Sequence, residues 1–146
     1  MATVIKSISD LTRIIELRVQ KALEMTQQEI FEVIQEHITD YYKEYNPIIY
    51  QRTWKFLNSL IKTDIIKSPN GLSCTVEIDE NYLSYRYKGE ITGLEVSSLA
   101  NKHSHGGIYD DDFVQFWDDS MQDLGMKPGI LAIMKRNLKK CRVPIQ

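Results

Sequence analysis

His103 and His105 stand one residue apart, and Asp110, Asp111 and Asp112 follow shortly after. Imidazole nitrogens and carboxylate oxygens are metal-ligand types, and a His-x-His pair on a strand would turn both rings to one side. This is the pattern in the chain that points to metal-assisted hydrolysis. Against it, the pair sits among Gly93, Gly106 and Gly107, the third histidine is the distant His37, and no cysteine is near. A site needs convergent geometry, so a solvated loop accounts for these residues better. The three aspartates more simply place negative charge at the positive end of a helix beginning near Phe113. The basic run from Lys135 to Arg142 has the favourable sign for a helix C-terminus, and its functional reading is contact with DNA phosphates or an acidic partner. No nucleophile elbow, phosphate loop or dinucleotide fingerprint occurs. Catalysis is not expected, and neither are catalytic, cofactor-binding or metal-ligating residues.

The elements that would position these groups come from length and pattern. A chain of 146 residues reads as one domain with room for a real core. Its expected organisation is a helical arm over 1–45 and an α+β body over 46–146. Apolar residues make up 42% and charged residues 26%, which fits a globular protein and not a disordered one. A formal charge of −2 argues against bulk electrostatic binding to nucleic acid. Cys74 and Cys141 are far apart, so reduced thiols are expected instead of a disulfide framework. No apolar run approaches a membrane span, and the first ten residues lack a signal-peptide profile.

Leu11, Ile15, Ala22, Ile30, Ile34, Ile38, Tyr41 and Tyr45 recur at helical spacings, and no glycine or proline intervenes before Pro47. Such a helix would run about 50 Å at ~1.5 Å per residue, longer than the ~30 Å breadth of a domain this size. The stretch Glu24 to Glu29 is poorest in large apolar groups, so a kink or helix junction is expected there. Two arrangements stay open: a helical hairpin that buries its own faces, or packing of Met1 to Ala22 on a neighbouring subunit. Asn46-Pro47 breaks the helix and starts a short apolar one with Tyr50, Trp54, Leu57 and Ile61 on one face, widened by Ile49, Phe56 and Leu60. Thr53 is its alternative cap. Alternation then takes over through Ile61, Thr63 and Ile65, a turn at Ser68-Pro-Asn-Gly71, and Leu72, Cys74, Val76 and Ile78. A third strand beginning at Tyr82 would complete an antiparallel meander covered by the Pro47 helix. From Gly89 to Tyr109 the pattern dissolves into a loop. Phe113, Phe116, Trp117, Met121 and Leu124 define a helix that Gly125 ends. Pro128 opens the last helix, with Ile130, Leu131, Met134 and Leu138 inward and Lys135, Arg136, Lys139 and Lys140 outward. Both tryptophans are expected in the core.

Tyr50-Gln-Arg-Thr53, followed by Leu57 and Ser59, resembles the Pro…Thr-Gly-x-Leu-x-x-Ser core of the minor tail-component, or tail-completion, family of long-tailed double-stranded DNA bacteriophages. The order of elements over the last two-thirds of the chain is similar too. Trp54 stands where that family has glycine, and Asp112-Phe113 replaces its Pro-Phe. The resemblance implies a structural virion protein, assembled in the host cytoplasm, that completes the tail or joins head to tail. It implies other phage neck or tail proteins as partners, a homo-oligomeric ring, possible proximity to phage DNA, no membrane association and no catalytic residues. Two other function classes compete with it: a metal-dependent nuclease or hydrolase using the His/Asp loop, and a small phage-encoded inhibitor of a host protein. Six aspartates from Asp110 to Asp123, and six bases from Lys127 to Arg142, also form opposed blocks suited to head-to-tail assembly.

Overall fold

One helix, α1 (Ile8–Glu44), is the spine on which every other layer is laid. The computed structural model describes residues 5–44, 54–86, 90–101, 104–105, 108–109 and 116–146. The 37 residues of α1 run unbroken, about 55 Å at ~1.5 Å per residue. The kink expected at Glu24 to Glu29 is therefore absent. The polar side chains of that stretch do not mark a break, because they bond to elements on both sides of the helix.

The Pro47 segment up to Thr53 lies outside the described residues. The helix expected to reach Ile61 ends earlier, since α2 spans only Lys55–Asn58. The Ser59 hydroxyl donates back to the Phe56 carbonyl (2.6 Å), and the Asp79 N–H donates to the Ser59 carbonyl (2.7 Å). That second bond draws the chain into a ladder, so Leu60 and Ile61 become strand.

Strand β1 (Leu60–Lys62) pairs antiparallel with β4 (Val76–Ile78), and β2 (Ile66–Ser68) with β3 (Gly71–Ser73). The Pro69-Asn70 turn joins the latter pair, and the positive φ falls on Gly71 (131°). Lys62 faces Val76 and Ile66 faces Ser73, so three residues (63–65) oppose two (74–75). This is one long hairpin interrupted by a bulge.

Among the described residues, the meander's third strand is not found. Asp79 caps a one-turn helix, α3 (Glu80–Leu83), by accepting from the Tyr82 N–H (3.1 Å). Among the described residues, strand β5 (Tyr85–Arg86) pairs with β6 (Glu90–Ile91) and not with the hairpin. The expected loop after Gly89 also holds a helix, α4 (Gly93–Asn101), and a short ladder of β7 (Ser104–His105) with β8 (Ile108–Tyr109). A Cβ on Gly93 would lie 1.9 Å from the Glu80 carbonyl oxygen, so the absence of a side chain lets α4 approach α3.

Two helices close the fold, α5 (Phe116–Asp123) and α6 (Met126–Lys140), parted by Gly125 at φ 70°. The architecture is α+β: a long N-terminal helix, small antiparallel two-stranded sheets and C-terminal helices. Ile34 and Ile38 of α1 form the core with Phe56, Leu60, Leu83 and Phe116. The Phe56 and Phe116 rings meet edge-on at 4.8 Å. Neither tryptophan joins this core: Trp54 is 45% exposed and Trp117 36%. Leu131, expected inward, is 53% exposed.

Candidate interaction surfaces

At 3.6 residues per turn, Thr26 and Glu29 share one face of α1, while Glu24, Gln27 and Gln28 lie on the other. The first face receives α6, running antiparallel. The Thr26 hydroxyl donates to the Ala22 carbonyl (2.8 Å). The fully buried Asn137 amide donates to Thr26 Oγ1 (3.1 Å) and Glu29 Oε1 (3.0 Å). Arg136 forms a salt bridge with the other Glu29 oxygen. Burial pushes the Glu29 carboxyl up, but hydrogen bonds from Asn137 and Arg136, with the charges of Arg136 and Lys140, outweigh it and hold its pKa below the ordinary value. Further along, His37 Nε2 lies 2.7 Å from Asp123 Oδ2 and ties α5 to the same spine.

The opposite face carries the hairpin. The buried Gln27 amide donates to the carbonyls of Thr63 and Thr75, both at 2.8 Å. These carbonyls flank the bulge, where the ladder is disrupted and backbone groups need other partners. Lys62 bonds Gln28, and Lys67 near the hairpin tip bonds Glu16. Cys74 lies close enough to Glu24 for that charge, after burial, to raise its thiol pKa.

Two concave surfaces of opposite charge result. On the hairpin side, an open cleft of about 780 Å³ is lined by apolar Ile61, Val76 and Leu94 and by acidic Glu77, Asp79 and Glu80. No salt bridge engages those three carboxylates among the described residues. On the α6 side, a second cleft of about 560 Å³ is lined by Arg18, Lys21, Lys140 and Arg142 around Leu17 and Met25. The Arg18 guanidinium donates to the Arg142 carbonyl (3.1 Å), which fastens the end of the chain beside α1. N-terminal to this fastening, α1 presents apolar residues to solvent: Leu17 is 56% exposed, Leu11 41% and Ile8 84%.

His103 and Asp110, Asp111 and Asp112 lie outside the described residues, and His105 is placed only as backbone of β7. The opposed charge blocks are partly consumed within the chain, Asp123 by His37 and Arg136 by Glu29. The pattern of types missed the seam residues Thr26, Gln27 and Asn137, as well as the acidic cleft. A signal for the seam was present, since polar residues at positions 26, 27 and 29 interrupt an otherwise apolar helical stripe without any helix breaker.

The class so defined is an α+β domain whose surface chemistry lies in two charged clefts on opposite faces of a helical spine. Residues 7–140 match the YomN family, and the chain belongs to it; this is a Bacillus phage-region protein family. No curated protein and no solved structure matches the chain. Among the described residues, no helix is long and apolar enough to cross a membrane.

Proposed function

We propose that the protein is a structural component of a tailed-phage virion, active in tail completion or head–tail joining through protein–protein contacts and without catalysis. One observation carries this reading. The N-terminal turns of α1 leave Ile8 and Leu11 in solvent, and Leu17 is exposed beside the basic cleft. Apolar surface left exposed along one helix supports a role in interaction. Membership of a phage-associated family and the resemblance of the Tyr50–Ser59 segment to tail-completion proteins support a setting in the particle, with neck or tail proteins and further copies of the chain as partners. Phage DNA would lie near such a joint, and the basic end of α6 suits that neighbourhood.

Deletion of the gene tests the reading. The expected phenotype is normal DNA replication and lysis, with filled heads and tails accumulating unjoined or tails left incomplete in electron micrographs. A deletion that yields intact infectious particles in normal number overturns it.

A further inference from the structure

The two clefts differ in sign, and the chain's own C-terminal end fits the acidic one. That end comprises Lys139, Lys140 and Arg142 followed by Val143-Pro144-Ile145-Gln146, a basic root with an apolar extended tip. The acidic cleft offers the complement, with exposed Glu77 and Glu80 in a lining that also includes Val76 and Leu94. Neither Lys139 nor Arg142 has a salt bridge within the described residues, and neither do Glu77 and Glu80.

Within one copy, this segment lies away from the acidic cleft. It is held beside Arg18 on the α6 face of α1, whereas the cleft is built on the hairpin face. The Val143 N–H is also tied to the Leu138 carbonyl (3.0 Å), which holds the start of the segment on that face.

We infer that the C-terminal end of one copy, Lys139 to Gln146, docks in the acidic cleft of a second copy. The contact is heterologous, since each subunit offers a donor end and an acceptor cleft on opposite faces of α1, and it therefore propagates. It is small, so association is concentration-dependent and weakens as salt screens its charges. This deepens the assembly reading and takes its biological setting from it, but it concerns the purified chain alone.

The test uses the full-length protein in two charge-reversed forms, one carrying Glu77→Lys and Glu80→Lys, the other Lys139→Glu and Arg142→Glu. Analytical ultracentrifugation of the wild type from micromolar to millimolar concentration should show association that falls with added salt. Each variant alone should sediment as a monomer with an unchanged circular dichroism spectrum. An equimolar mixture should associate again, because every reversed cleft then finds a reversed end. Carbodiimide coupling of mixed light- and heavy-isotope wild-type protein should join Glu77 or Glu80 to Lys139 or Lys140 between copies, a readout that needs no variant to fold. A wild type that stays monomeric throughout, variants that associate as it does, a mixture that stays apart, or cross-links confined to one copy would overturn the inference. None of these results bears on whether the protein belongs to the virion, which the deletion phenotype decides separately.

Discussion

Replacing Gln27 with leucine removes one amide and keeps most of the side-chain volume, so it isolates the bond between spine and hairpin. In the native protein that amide donates twice, to the Thr63 and Thr75 carbonyls. The Thr75 carbonyl keeps a second donor, the Thr63 N–H at 3.0 Å. The Thr63 carbonyl has no second donor among the described residues and would be left beside an apolar group. A lost hydrogen bond costs ~1 kcal/mol net, and a stranded buried acceptor ~1–3 kcal/mol. The expected destabilisation is therefore about 2–4 kcal/mol, with a fall in Tm of ~2–4 °C for each kcal/mol at this chain length. Urea unfolding followed by far-ultraviolet circular dichroism measures it, and amide exchange at Thr63 and Thr75 should quicken. Gln28→Ala is the control: Gln28 bonds Glu32 and Lys62 at the surface, and its loss should stay within ~0.5 kcal/mol. If Gln27→Leu were as mild as Gln28→Ala, the bulge would not depend on α1 and the layered account would be wrong.

Three further substitutions probe separate features. Trp54 adopts φ 57° while packing on Tyr42 with ring centroids 4.8 Å apart; Trp54→Gly should be more stable than Trp54→Ala by about 1 kcal/mol, since glycine bears no left-handed penalty, and an alanine variant of equal or greater stability in thermal melts would refute the strain. Because the Glu29 pKa is depressed below 4.5, its contribution is fully present above the unfolded value and disappears as pH falls through the folded one. The stability gap between wild type and Glu29→Gln in urea titrations should thus close on acidification below pH 4.5, and a gap that widened there would contradict the assignment. Gly93→Ala would press a methyl group on the Glu80 carbonyl and should cost ~1–3 kcal/mol by overpacking, whereas an unchanged melting temperature would mean that α3 and α4 part freely.

The parts of the fold that could be read from sequence are those fixed by local chemistry. Asn70-Gly71 located the hairpin because a tight turn demands positive φ, and Gly125 located the break between α5 and α6 for the same reason. Elements decided by tertiary contact were not readable. Tyr82, Tyr85 and Tyr87 suit a strand by propensity, yet the Asp79 side chain captures the Tyr82 N–H and sets a helical turn first. Gly93 and Ser97-Ser98 resemble loop residues, but the glycine is there for close approach and Val96 packs on the core. The polar run at Glu24 to Glu29 suggested a break because a lone sequence does not reveal that its partners are a bulge and a neighbouring helix. For the same reason the acidic cleft was invisible, since Asp79 and Glu80 come to line it with Leu94 through the contact of α3 with α4. The exposure of Trp54 and Trp117 shows the converse, that large aromatic rings do not guarantee a place in the core.

Mass spectrometry of density-purified phage particles, with copy number fixed by isotope-labelled peptides from the α1 and α6 segments, bears most directly on the proposed role. The expected result is co-purification with the particle through repeated banding, at several copies per virion and at a fixed ratio to the other neck or tail proteins. A protein abundant in the lysate yet absent from the particles would contradict a structural role in the virion.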